Sequence, residues 1–198
     1  MILTEVEAEE FLSKNKFKIV ENVVSKREKT LETLFNKLKK PVVMKISGKD
    51  VVHKKVINGV RMNIITLEEA KKTFHELEKI KGFQQVMLQE QLTGKEIILG
   101  VKKTDEFGQV LVFGTGGSNL EEKDVTFFIL PLEKEIEEQI QKTKIGQKLD
   151  REEIALVKKN LALLENLCSK NPEIKELDIN PLILSKGEAF VVDARIVF

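Results

Sequence analysis

The chain has 198 residues, of which 41% are apolar and 33% charged, with 11 glycines and 4 prolines, values that exclude collagen-like, mucin-like and wholly disordered chains and fit one domain or two small lobes. Lys plus Arg number 33 and Asp plus Glu 32, a net charge of +1 that gives no general pull toward nucleic acid; the basic excess lies in residues 1–85 and the acidic excess in 86–198. No apolar run reaches the ~18–20 residues of a membrane span, and Met1-Ile2-Leu3-Thr4-Glu5 lacks the basic start of a signal peptide.

Four segments place a capping residue three positions before a glutamate: Thr4 with Glu7, Ser25 with Glu28, Thr66 with Glu69 and Asp150 with Glu153. The cap oxygen satisfies an orphan N–H of the first turn, and the glutamate can answer in return. Helices are therefore expected over 5–14, 26–39, 67–81 and 151–169, with a further one over 132–142. Strands are expected over 17–23, 42–46, 60–65, 85–89, 96–101, 110–114, 125–130, 182–184 and 189–197, where β-branched and aromatic residues concentrate between turn signals. Gly108 marks a hairpin turn over 103–109, and Ser185-Lys186-Gly187 marks another. Two strands follow Pro41 with no helix between them, which breaks strict βαβ repetition. The expected class is α+β, with antiparallel or mixed sheets and helices on one side. Cys168 falls on the apolar stripe Ile154, Val157, Leu161, Leu164 of the last helix, as a buried thiol fitting a reducing compartment such as cytoplasm.

Several residues carry possible chemistry. Lys45 shares a strand face with Val43, where an ammonium must reach solvent or meet an anion. A basic cluster of Lys45, Lys49, Lys54, Lys55 and Arg61 could focus a field on a compact polyanion. His53 lies in a loop among lysines, which disfavour its cation and leave a neutral imidazole able to accept a phosphoryl group. His75 reads as a helix-surface residue. Gly114, Gly116 and Gly117 follow a strand and expose backbone N–H groups, either as a phosphate cradle or as a tight turn. In Glu176-Leu177-Asp178-Ile179-Asn180-Pro181, paired strands can bring Asn180 opposite Asp193 of Val192-Asp193-Ala194-Arg195. Two hard oxygen ligands, completed by phosphates, suit Mg²⁺; salt-bridged or turn-capping acids are the other reading, with Arg195 close by.

Taken together, Pro41–Lys45, His53-Lys54, Asn58-Gly59-Val60, Gln89-Glu90, Gly94-Lys95-Glu96, Gly114–Gly117, Glu176–Leu182 and Val192–Ile196 resemble the ATP-grasp beta subunit of nucleoside-diphosphate-forming acyl-CoA synthetases, with ADP-forming acetyl-CoA synthetases as the nearest branch. The resemblance spans nearly the whole chain. It implies an ATP-grasp fold of two α+β lobes enclosing a nucleotide cleft, the first over 1–88 with the N-terminal helix and the second over 89–198. It implies ATP or ADP with Mg²⁺ as cofactors. Lys45 and Lys54 would bind phosphate; Gln89, Glu90 and Gln91 would form the adenine-side hinge, partly through backbone groups. Glu96 and the three glycines would lie by the nucleotide, Asn180 and Asp193 would hold Mg²⁺, and His53 would relay the phosphoryl group. The implied partner is a CoA-binding alpha subunit with a phosphohistidine segment, in a hetero-oligomer, with no nucleic acid or membrane. The implied reaction is acyl-CoA + ADP + phosphate ⇌ acid + ATP + CoA. The sequence departs from the family pattern in four places: Asn58 replaces a usual glycine, the segment after Gly117 is short, Phe128 replaces an expected arginine, and Lys144–Asp150 lacks the family's glycine-rich loop. Phe128 and the short loops keep open a second reading, a non-catalytic ATP-grasp subunit that binds nucleotide or a partner.

Overall fold

The computed structural model describes residues 1–48, 58–117, 124–133 and 135–198. The chain forms two compact units, one of residues 20–92 and one of 1–19 with 93–198.

The smaller unit holds a four-stranded sheet in the order β1-β4-β2-β3, from β1 (Asn22–Ser25), β2 (Val42–Ser47), β3 (Val60–Ile64) and β4 (Gln85–Glu90). Its ladders are antiparallel. Helices α2 (Leu31–Phe35) and α3 (Leu67–Glu78) supply Leu31, Phe35, Ala70, Phe74 and Leu77 to a core completed by Val42, Met44, Ile64, Val86 and Leu88 from the strands. Burying each such aliphatic side chain is worth roughly 1.5–3 kcal/mol. The helix expected over 26–39 is shorter: Ser25 ends β1, a 3-10 turn covers Glu28–Thr30, and α2 follows. Ser25 is no capping-box residue, because its hydroxyl donates to the Arg27 carbonyl at 2.9 Å and meets the Thr30 hydroxyl at 2.7 Å. The strand expected over 17–23 divides at the boundary between units. Ile19 makes an isolated bridge to Val191, whereas 22–25 joins β4.

In the larger unit the sheet runs β10-β8-β5-β6-β7, with β9 also paired to β8. The strands are β5 (Lys95–Thr104), β6 (Gly108–Thr115), β7 (Val125–Ile129), β8 (Glu176–Ser185), β9 (Glu188–Val191) and β10 (Ala194–Val197). The helices are α1 (Glu5–Lys14), α4 (Ile136–Gln141) and α5 (Arg151–Lys170). Facing residues across a ladder share a face, so Leu99, Phe113 and Ile179 point together into the core while Gly100, Val112 and Asp178 point away from it. Ile154, Val157, Leu161, Leu164 and Cys168 of α5 pack into this same core. The α1 helix, expected with the first lobe, packs here: Ala8 and Leu12 enter the core, and Phe11 meets Phe198 edge to face at 6.0 Å. Capping boxes open α1, α3 and α5 at Thr4, Thr66 and Asp150, as their spacing foretells. The β8–β9 hairpin turns on Lys186 and Gly187, whose φ angles of 51° and 74° are the pair required by a type I′ turn. Among the described residues, no helix is long and apolar enough to cross a membrane.

Cys168 is 2% exposed, and burial, reinforced by the Glu165 carboxylate, pushes its thiol up to about 11. The thiol is neutral in both states at pH 7. As pH rises past the ordinary thiol range the unfolded chain ionises first, so stability is lost on the alkaline side through about 11. Urea melts should therefore show the wild type losing about 1 kcal/mol more than Cys168→Ala between pH 8 and pH 10. Parallel pH dependences in the two proteins would contradict the burial argument.

Candidate functional site

In the smaller unit, β2 is buried along its whole length. Met44 and Ile46 pair with Leu88 and Val86 on the helix-covered face, whereas Val43, Lys45 and Ser47 pair with Gln89, Met87 and Gln85 on the other. Period-two alternation in the sequence gives this same division. Lys45 is only 4% exposed, although an ammonium loses much hydration on burial and must be compensated. Gln89 is fully buried on its face. Ser47, passed over by the sequence reading, is 2% exposed on this face and accepts a hydrogen bond from Gln85 Nε2 at 3.4 Å. The alternation two residues past Lys45 could have pointed to it.

Glu90 and Gln91, expected to form the adenine-side hinge with Gln89, have their side chains engaged within the unit. Glu90 Oε1 accepts the Lys39 N–H at 2.9 Å, and its own N–H donates to the Glu21 carbonyl at 2.9 Å. Gln91 Oε1 accepts the Asn63 N–H at 2.7 Å while its Nε2 donates to Asn63 Oδ1 at 2.8 Å. Asn63 has φ = 59°, a conformation asparagine tolerates better than most residues. The side chains of Glu90 and Gln91 thus fix the local chain path.

The acidic and glycine-rich pieces meet in the larger unit. The β8 ladder is interrupted at Asn180-Pro181, where proline offers no N–H. On one side, the partner edge is interrupted too, at Val192-Asp193 between β9 and β10, and the Asn180 N–H donates to the Asp193 carbonyl at 3.0 Å. The two residues stand opposite one another, as the sequence anticipates. On the other side, β5 shifts register between Ile97 and Leu99. The glycine segment closes over this break. Gly116 donates its N–H to the Glu96 carbonyl at 3.0 Å, and a Cβ at Gly116 would come within 2.5 Å of the Ile97 carbonyl. Gly117 has φ = 84°, and a Cβ there would run into Glu96 Oε2. Its N–H donates to Asn180 Oδ1 at 2.8 Å. Gly114 lies on β6 opposite Ile98 and Val125. Glu96, Gly117 and Asn180 are therefore neighbours, with Asp193 across from Asn180.

This donor set is made of hard oxygens. No group of three His, Cys, Asp or Glu fit for a metal occurs among the described residues. Two protein oxygens leave most positions to phosphate and water, the usual manner of holding Mg²⁺ beside a nucleotide. The Glu96 carboxylate lies directly against the Gly117 backbone, on the side where a Cβ would stand. Arg195 bonds Glu176 at 3.5 Å and lies opposite Asp178 in the ladder.

His53 and Lys54, with Lys49 and Lys55 of the basic cluster, lie outside the described residues. Arg61 does not share the Lys45 face. It pairs with Met44, and its guanidinium bonds Glu76 at 3.4 Å and the Asn58 carbonyl at 2.5 Å. His75 is half exposed and sits between Glu28 at 3.3 Å and Glu78 at 3.4 Å, a helix-surface residue as expected. Asn58 has φ = 51°, which explains why a glycine suits that position and an asparagine can replace it. Phe128 pairs with Leu111 and is buried in the core. Phe127, its neighbour, is the residue on the open face.

The whole chain, residues 1–198, matches the family model described as an ATP-grasp domain. It is 35% identical over its full length to "Acetate--CoA ligase [ADP-forming] II" of Archaeoglobus fulgidus, of which it spans 30%. It is 31% identical to "Acetate--CoA ligase [ADP-forming] I subunit beta" of Pyrococcus furiosus, covering 98% of this chain and 91% of that one. Among solved structures it superposes on a chain of dinucleotide-forming acetyl-coenzyme A synthetase 1 of Ca. Korarchaeum cryptofilum with a TM-score of 0.88 at 29% identity, covering 100% of this chain and 93% of that one. That complex contains coenzyme A and Ca-AMPCP. Another complex of the same protein contains coenzyme A and Mg-AMPPCP, with its phosphohistidine segment pointing towards the nucleotide binding site.

The paired hydrogen bonds between Gln91 and Asn63 should contribute measurably to the stability of the smaller unit. Gln91→Ala should destabilise the protein by about 1–2 kcal/mol in urea melts and speed exchange of the Asn63 amide. Gln91→Glu should lie between Gln91→Ala and wild type, because it keeps the acceptor and loses the donor. A Gln91→Ala melt superimposable on wild type would deny the clamp any energetic role.

Proposed function

The chain belongs to the ATP-grasp family, and we propose that it works as the nucleotide-binding beta subunit of an ADP-forming acyl-CoA synthetase. The observation that carries this reading is the grouping of Glu96, the Gly117 N–H and Asn180 at the ladder break opposite Asp193. The identity of about one third to ADP-forming acetate–CoA ligases supports the chemistry.

Each unit has its task. In the smaller unit, Lys45 neutralises and orients phosphate oxygens, with Lys54 as a second cation. Burial makes the Lys45 charge act in a less screened setting than bulk water. Backbone carbonyls of the Gln89–Gln91 segment meet the edge of the base, because the side chains and the N–H groups of Glu90 and Gln91 are already engaged. In the larger unit, Asn180 and Asp193 hold Mg²⁺ with Glu96 nearby, while Gly114, Gly116 and Gly117 let the backbone approach the phosphates without a side chain; the Gly116 and Gly117 N–H groups, expected to face an anion, are instead held by the Glu96 carbonyl and Asn180 Oδ1. Mg²⁺, when bound, offsets the charge of the phosphate oxygens.

Phosphoryl transfer needs chiefly positioning and charge stabilisation. A CoA-binding alpha subunit, assembled with this chain in a hetero-oligomer in the cytoplasm, presents a phosphohistidine. His53 accepts that phosphoryl group: the nitrogen–phosphorus bond to the donor imidazole breaks as one to His53 forms. A terminal β-phosphate oxygen of ADP then bonds to phosphorus as the His53 bond breaks, leaving ATP and a free imidazole. The acid and CoA belong to the partner. The non-catalytic alternative draws on Phe128 and on the short loops; the core position of Phe128 weakens the first motive, since the open face does not lose a side chain there.

Calorimetry should show Mg²⁺-dependent binding of ADP to the isolated chain, weakened about 10- to 100-fold in Lys45→Ala and losing its Mg²⁺ dependence in Asp193→Asn. No Mg²⁺-dependent nucleotide binding by the wild type would refute the reading. Reconstituted with its cognate alpha subunit, His53→Ala should lose about a hundredfold or more in phosphoryl transfer, whereas full activity would reject the relay.

A further inference from the structure

We propose that Asn180 is a positioning residue for the glycine-rich segment. Its carboxamide oxygen fixes the Gly117 N–H and so sets the end of that segment before a nucleotide arrives. The inference deepens the function proposed above, and its structural part stands independently of nucleotide chemistry. Three observations lead to it. Gly117 leaves β6 in the left-handed region at φ = 84°, where no strand ladder can hold its N–H. That N–H donates to Asn180 Oδ1 at 2.8 Å, across 63 positions of sequence. Gly116 is pinned independently, its N–H on the Glu96 carbonyl at 3.0 Å and its α-carbon against the Ile97 backbone.

Asn180 can perform this task because its own backbone is fixed. Its N–H is held by the Asp193 carbonyl at 3.0 Å, and the adjoining Pro181 carbonyl accepts the Val192 N–H at 3.2 Å. The side chain thus extends from a braced point to Gly117, two residues past the end of β6. A carboxamide oxygen has two lone pairs. One can keep the Gly117 N–H while the other remains available to a cation, so holding the segment and serving a metal are compatible duties of one atom. The sequence predicts only the second. The first also accounts for Gly117: its N–H reaches Asn180 at φ = 84°, a conformation that L side chains rarely adopt.

The test is amide hydrogen exchange of the chain free of metal and nucleotide. The Gly117 amide should be protected in the wild type and exchange about tenfold faster in Asn180→Ala, with the Leu99 amide of β5 unchanged. Asn180→Asp, which retains an acceptor at the same reach, should restore protection. Asp193→Asn, which alters the other proposed cation ligand and leaves the backbone carbonyl in place, should leave Gly117 protected. If Asn180→Ala does not fold, Asn180→Ser supplies the same comparison, since its hydroxyl falls short of Gly117. An unprotected wild-type Gly117 amide, or one indifferent to removal of the carboxamide, overturns the proposal. Failure of Mg²⁺-dependent ADP binding would instead count against the functional reading alone.

Discussion

The larger unit is organised around a discontinuity in hydrogen bonding. A sheet is most stable when every ladder is complete, yet here three neighbouring strands lose register within a few residues of Asn180-Pro181. Proline cannot donate to the ladder, and the bulge in β5 compensates on one side while Val192-Asp193 leaves the strand pattern on the other. The buried rows on either side prevent this break from spreading. Leu177 and Ile179 before it, and Leu182 and Leu184 after it, all enter the same core as α5. A rigid frame with a local gap is a suitable place for polar groups, because the residues at the gap need not satisfy their neighbours' ladder and can turn toward something else.

The smaller unit meets a different constraint. Its sheet places an ammonium on an almost fully buried face, opposite the apolar face that its helices cover. Moving Lys45 by one register position would put it among Val42, Met44 and Leu88, where its charge would be far more costly. The fourfold antiparallel arrangement makes that slip difficult, because β2 is held by β3 on one edge and β4 on the other. Fold stability and the orientation of the lysine are therefore a single choice of register.

Much of this was legible because the local physics is periodic. Three of the four capping boxes form, and the strand face of Lys45 follows from alternation. The opposition of Asn180 and Asp193 follows from two short strands joined by a turn at Lys186-Gly187. What was not legible depended on contacts distant in sequence. Ser25 fits the capping pattern, but β4 claims it for a strand and its hydroxyl finds Arg27 and Thr30. The clamp between Gln91 and Asn63 joins residues 28 apart through a left-handed asparagine, which no local motif announces. The Gly117–Asn180 bond is more distant still. Arg61 looked like a member of the basic cluster by proximity in sequence, whereas its one-residue offset from Val60 turns it toward α3.

Phe128 shows how a face assignment changes the meaning of a departure from a family pattern. Read along the sequence, an aromatic residue in place of an arginine is a lost phosphate clamp, since no aromatic ring can reproduce a bidentate guanidinium. In the sheet, position 128 projects with Leu111 and Val101 into the apolar core, where phenylalanine contributes packing and a guanidinium would need partners for its buried donors. The side chains that Phe128 sits back to back with are those of the open face, Gly100, Val112 and Phe127 in adjoining strands. Phe128 thus belongs to the packing of the sheet, apart from the polar groups at the ladder break, Glu96, Asn180 and Asp193. The identity of residue 128 accordingly bears first on how firmly β7 is held in the core it shares with α4 and α5.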